Sequence, residues 1–264
     1  MSQSEVVGII GGHGWMGRAL GLSLLERRII SADQLVVSSR SENNNAYQDW
    51  PDVRRVKSNS ELVELADVIV LSIRPDDLVS LNINANGKLV ISLLAMASSE
   101  KIVSQVGSSR VIRAMPNAAA EIQRAYFPWY ASEQVTEEDK QLVQTLLESC
   151  GKARELPEES NLDYLTALSG AGPAYPALLA QSMLEHAKQM DIADDIAQEA
   201  VMQTLVGGSL LLEQLGADPK EMVERLIAYN GTTAKGLSSM IEQGFHEAVH
   251  HGLTNAYRAA SGQQ

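Results

Sequence analysis

Apolar runs of strand length punctuate the first part of the chain, at residues 6–10, 35–38, 68–72, 89–92, 111–113 and 125–130, with amphipathic stretches between them. Two of those stretches open on start signals. Ser58 precedes Glu61, and Thr136 precedes Asp139, at the three-residue spacing of a capping box. Strands alternating with helices at this interval predict βαβ units and a mostly parallel, doubly wound sheet. From about Glu158 the short runs cease and helical periodicity takes over, predicting helices at 161–168, 173–190, 193–215, 219–228, 232–243 and 245–260. Asp218-Pro219 is a sound start for one of them, a cap followed by a proline whose missing N–H costs nothing there. The change of pattern places an α/β domain over residues 1–156 and an all-helical domain over residues 157–264.

The helix predicted at 193–215 is apolar on most sides, and such a helix is buried on most sides. Gly207 and Gly208 sit in its middle, where each glycine costs about 1 kcal/mol against alanine. A unit of this size has little with which to cover it, which points to a second subunit. The central helix of a monomeric bundle is the alternative.

Charge and composition then narrow the partners. With 33 acidic against 21 basic residues the net charge is −12, so the clustered Lys and Arg that a phosphate backbone demands are absent and no nucleic-acid partner is expected. An anionic ligand must be held by local dipoles and a few placed bases. Cys150 is the only cysteine, which rules out a disulfide within the chain and a zinc site built of cysteines. No basic segment precedes the first apolar run, and no stretch approaches the roughly 18–20 apolar residues of a membrane span. The expectation is a cytoplasmic protein with no membrane partner.

Gly12-His13-Gly14-Trp15-Met16-Gly17 matches G-x-G-x-x-G directly after the 6–10 strand and at the head of a helix. In a Rossmann domain the first glycine permits the tight turn and the second lets the backbone approach a pyrophosphate. The third packs helix against strand, while the helix N-terminus offers its N–H groups to the phosphates. A plain tight βα turn is the bland reading. The second strand ends Ser39-Arg40-Ser41 with no acid before Glu42. An acid there binds the ribose hydroxyls of NAD, whereas two hydroxyls and a guanidinium suit a 2′-phosphate, so NADP(H) is expected in preference to NAD(H). An exposed Arg40 with no ligand is the alternative.

Four further segments make the chain resemble the pyrroline-5-carboxylate reductase family. Ser72-Ile73-Arg74-Pro75 is similar to its cofactor loop, usually V-K-P, and the run from Val111 to Asn117 is close to its V-x-R-x-M-P-N. The stretch from Ser169 to Tyr175 resembles its S-G-S-G-P-A-Y segment, and Asn230-Gly231-Thr232-Thr233 its G-G-T-T signature. The matches come in the family's order along nearly the whole chain. The resemblance implies an oxidoreductase acting on CH–NH bonds that reduces a small cyclic imine with NADPH, foremost 1-pyrroline-5-carboxylate to L-proline in proline biosynthesis. It also implies a homodimer or larger homo-oligomer built through the C-terminal helices.

Each segment has a physical reading of its own. Asn117 follows a strand end, where open α/β sheets bind ligands; it donates to a nicotinamide ribose or amide, or caps a turn. Gly170-Ala171-Gly172-Pro173 leaves free N–H groups at a helix start suited to a carboxylate, and Gly231-Thr232-Thr233 does the same at another with two added hydroxyls. Ser169, Gly170, Asn230, Gly231 and Thr232 are thus the candidate substrate residues. The resemblance makes Thr233 the donor of a hydrogen bond or proton to the imine nitrogen; helix capping is the other use of such a hydroxyl. Two departures concern the substrate. Ala228 stands where the family commonly has a serine that helps hold the carboxylate, and Ala171 replaces the second serine of S-G-S-G-P. A paralogue reducing another cyclic imine, or an NADP-binding sensor without catalysis, therefore stands beside the main reading. His246 and His250 share a helix face, but no third ligand lies near and no metal site is expected.

Overall fold

The computed structural model describes residues 5–39 and 45–262. Eight strands form one sheet: β1 (Val7–Ile10), β2 (Leu35–Ser38), β3 (Arg54–Val56), β4 (Val68–Leu71), β5 (Leu89–Ser92), β6 (Arg110–Ala114), β7 (Ala125–Ala131) and β8 (Gly151–Glu155). Their order is β3-β2-β1-β4-β5-β6-β7-β8, and all pairings are parallel except β6 with β7. The inner strands are apolar on both faces because helices cover both. Along β4, Val68 and Val70 enter the core beneath α1 (Trp15–Glu26) and α4 (Glu137–Glu148), while Ile69 and Leu71 enter the core beneath α2 (Asn59–Leu65) and α3 (Ser99–Val106). Each such side chain, fully withdrawn from water, contributes about 1.5–3 kcal/mol.

Sequence periodicity finds six of these strands and misses two. β3 is three residues long with both arginines exposed, and β8, Gly-Lys-Ala-Arg-Glu, is exposed at Lys152, Arg154 and Glu155. Both lie at the ends of the sheet, where a strand covers little apolar surface and lacks a hydrophobic pattern. Thr136 makes the predicted capping box: its hydroxyl accepts from the Asp139 N–H, and the Asp139 carboxylate accepts from the Thr136 N–H. Ser58 accepts from the Glu61 N–H at 3.1 Å.

The chain divides into two compact units, Met1–Ala171 with Ala256–Gln264, and Gly172–Asn255. The first holds the sheet and α5 (Ser160–Leu165), which runs into a single π-helical turn, Thr166–Gly170, where a longer helix was expected. The second holds α6 (Ala174–Gln189), α7 (Asp194–Leu215), α8 (Pro219–Ala228), α9 (Thr232–Glu242) and most of α10 (Phe245–Ala260). Of its apolar residues only Ala197, Val201 and Ala234 are buried. On α7, Ile196, Met202, Val206, Leu210, Leu211 and Leu215 are 39–60% exposed, and a Cβ added to Gly208 would meet nothing within 4 Å. The helix that reads as buried all round is uncovered in a single chain.

The Arg110 guanidinium forms a two-pronged pair with Asp139, joining β6 to the first turn of α4, with Nε donating at 2.8 Å. Burial alone would raise the Asp139 pKa, but the Arg110 pair and the Thr136 bonds outweigh it and hold the carboxyl below its usual range. A lowered folded-state pKa gives stability that is full above the unfolded carboxylate range and is lost as pH falls through the folded value. Asp139→Asn should therefore lower unfolding stability by about 1–3 kcal/mol at neutral pH, with the gap closing in acid. Urea titrations of both proteins at neutral and acid pH check this, and a gap independent of pH would refute it.

Candidate active site

The strand order reverses between β1 and β4, and the loops leaving these two strands line one cleft of about 580 Å³ with Gly11, His13, Gly14, Ser72, Ile73 and Arg74. Backbone takes the place of side chains here. Gly11 has φ +82°, the left-handed region, and a Cβ on it would fall on the Ser72 carbonyl oxygen. The tight turn thus rests on Gly11, one residue before the motif's first glycine. A Cβ on Gly12 would lie 2.8 Å from the Val37 Cβ, and one on Gly17 would lie 2.5 Å from the Gly11 oxygen. Gly14 caps α1 without a side chain, leaving the helix N-terminus open to an anion. Trp15 is exposed at the first helical position, whereas Met16 packs on the core; Pro75 opens a short turn beyond Arg74.

Ser39 lines the same cleft; Arg40 and Ser41 lie outside the described residues. Lys57 and Asn59 line it too and were missed from the sequence. They follow β3, whose Val56 pairs with Ser38, so the missed strand carries them to the end of β2. The Ser38 hydroxyl donates to the Asn59 side-chain oxygen at 2.8 Å. Lys57 is exposed and has no ion pair among the described residues. The cradle, an open helix N-terminus and a nearby lysine fit a phosphorylated dinucleotide.

Beyond β6, Asn117 uses both ends of its amide: the oxygen accepts from the Ala119 N–H at 3.0 Å and the nitrogen donates to the Ser169 carbonyl at 2.9 Å. Gly170 sits against Met115, where a Cβ would be 3.3 Å from its Cγ. Buried Arg113 donates to Glu159 at 2.7 Å and lies 3.8 Å from Asp163. Burial pushes the Asp163 carboxyl up against the opposing pull of Arg113. These contacts fix Ser169 and Gly170 at the carboxyl end of β6.

In the second unit, α8 ends at Ala228, and Asn230 takes φ +55°, a conformation asparagine tolerates best after glycine. Gly231 caps α9 without a side chain, so neither Thr232 nor Thr233 serves as the cap. Both threonines are exposed, and neither hydroxyl makes a hydrogen bond among the described residues. Among the described residues there is no group of His, Cys, Asp and Glu fit to hold a metal ion, and no helix long and apolar enough to cross a membrane.

A family model for pyrroline-5-carboxylate reductase dimerisation matches residues 159–263, and one for coenzyme F420-dependent NADP oxidoreductases matches residues 6–96. The chain is 30% identical to a pyrroline-5-carboxylate reductase of Pseudomonas aeruginosa over 207 residues, 76% of each protein. It is 29% identical to pyrroline-5-carboxylate reductase 2 of Bacillus subtilis, over 91% of this chain and 88% of that one. The crystal structure of a Plasmodium falciparum pyrroline carboxylate reductase with NADP bound superposes with a TM-score of 0.85 at 25% identity, covering 99% of this chain and 98% of that one. Gly17→Ala should weaken dinucleotide binding at least about tenfold, since the added methyl overpacks helix against loop. Quenching of Trp15 fluorescence on titration reads the affinity; an unchanged affinity would sink the packing argument.

Proposed function

The chain belongs to the pyrroline-5-carboxylate reductase family, and on that premise we propose that it reduces 1-pyrroline-5-carboxylate to L-proline, with NADPH preferred over NADH. The observation that carries this is the pairing, in one chain, of a switch-point dinucleotide cleft with a helix N-terminus at Gly231–Thr233 whose two hydroxyls are not used as caps. Residues 1–156 hold the cofactor, and residues 157–264 carry substrate binding and dimerisation. Ser39, Arg40, Ser41 and Lys57 supply hydroxyls and positive charge for a 2′-phosphate.

Bound NADPH supplies the hydride. The protein's part is placement and charge. As the imine carbon is reduced its nitrogen gains basicity, and the Thr233 hydroxyl donates to it. The anionic substrate carboxylate suits the N–H groups at the head of α9, with the Ser169–Gly170 turn as a further site. Because Ala228 offers no hydroxyl, a site remade for an imine without a carboxylate is the second reading. A panel of cyclic imines with and without a carboxylate, assayed for oxidation of NADPH and NADH, separates the two. If no imine is reduced, the enzyme reading falls.

Thr233→Val should lower the turnover rate roughly a hundredfold while leaving NADPH affinity nearly unchanged. A role confined to the helix start would instead cost about 1 kcal/mol of stability and spare turnover, which steady-state kinetics beside thermal unfolding distinguishes. The uncovered face of α7 is completed by a second copy across a two-fold axis, with Gly207 and Gly208 admitting close approach. Sedimentation at micromolar concentration should show a dimer or larger, and a lone 28.6 kDa species would refute it.

A further inference from the structure

Tyr47, between β2 and β3, is fully buried although it sits in a polar stretch of the chain. Its phenol hydroxyl donates to the Gly12 carbonyl at 2.9 Å, a contact across 35 positions of sequence. The room for that hydroxyl comes from Gly21 on α1, where an added Cβ would fall on the phenol oxygen. At its other end the residue is held by β3, since the Arg55 guanidinium donates to the Tyr47 carbonyl at 2.6 Å. The ring lies 5.7 Å, centroid to centroid, from that of His13.

We propose that Tyr47 is a positioning residue of the cofactor site, its hydroxyl pinning the Gly12 carbonyl and so fixing the glycine loop; this rests on the dinucleotide reading of the cleft. The physics is that of a planar trans peptide, in which C=O and N–H point in opposite directions. Holding the Gly12 oxygen against the phenol sets the direction of the N–H in the Gly12–His13 peptide, within the run of amides that leads to the head of α1. A glycine-rich loop has little side-chain packing of its own to hold one course, and its flexibility is what Tyr47 removes. Burial pushes the phenol's pKa up, so the hydroxyl remains a neutral donor across the working pH range.

Tyr47→Phe keeps the ring and deletes the bond. In the protein without cofactor, amide hydrogen exchange across residues 11–17 should quicken about tenfold, and the NADPH dissociation constant should rise about tenfold, the factor expected for one lost buried hydrogen bond. The KM for imine at saturating NADPH should stay unchanged. Gly21→Ala attacks the same bond from the other side; it should raise the dissociation constant by a similar factor alone and add little in the Tyr47→Phe background. If Tyr47→Phe does not fold, Gly21→Ala carries the same two readings. A merely structural tyrosine would lower the unfolding temperature while leaving loop exchange and NADPH affinity as they were, and that result overturns the proposal. Faster loop exchange in a protein whose unmutated form binds no NADPH would support the anchoring and overturn the cofactor reading instead.

Discussion

The constraint on which the cleft depends is the approach of two pieces of backbone, the glycine loop after β1 and the Ser72 carbonyl after β4. No side chain fits between them: Gly11 stands in the left-handed region with the Ser72 oxygen where its Cβ would be, and Gly17 abuts the Gly11 oxygen from α1. That contact exists because β1 and β4 are paired neighbours whose following loops leave the same edge side by side, and the reversal of strand order between them opens a crevice at the strand ends. The buried apolar faces of β1 and β4 hold the two loops in register, so the core serves the cleft. The cleft's geometry in turn explains why four glycines cluster in seven residues.

The second unit obeys a different rule. An isolated helical unit is stable when its helices bury their apolar stripes against one another. Here α7 buries only Ala197 and Val201; Leu205 and Leu212 are half-buried, and its other six large apolar residues are exposed. The deficit is too large for a scatter of single surface residues, which any protein shows. It lies in the region matched by the dimerisation model, so what looks like a poor monomer reads naturally as half of an assembly.

Much of this was legible beforehand, for reasons that differ by element. The inner strands and α4 follow from apolar runs and a capping box that the fold uses as written. β3 and β8 were not legible, because a terminal strand is held by backbone bonds and leaves no hydrophobic trace; with β3 went Lys57 and Asn59, whose place in the cleft depends on its pairing with β2. The tight turn was placed at Gly12 by the motif, while the backbone puts it at Gly11, since the chain offers two adjacent glycines and the motif does not say which one turns. Tyr47 could not be found at all: nothing in its neighbourhood signals a bond to a carbonyl 35 residues away.

A chain of net charge −12 whose cleft fits a phosphorylated dinucleotide must meet that anion with helix ends and a few placed bases. Acids in the first turn of a helix stabilise it against the macrodipole by about 0.3–1 kcal/mol, and seven of the ten described helices carry one, from Glu61 in α2 to Glu247 in α10. The three without are α1, α6 and α9. These are the helices headed by Gly14, by the Gly170–Pro173 segment and by Gly231, the three positions to which the functional reading assigns a phosphate or a carboxylate. α1 and α9 forgo a stabilising charge and leave the N–H groups of their first turn without a side-chain cap, open to an anion. At α6, by contrast, the Tyr175 N–H bonds the Gly172 carbonyl, and Pro173 and Pro176 carry no N–H. The acidity of the rest of the surface then costs little at the site, because at ordinary ionic strength charges more than about 10 Å away are largely screened while the helix ends act at contact.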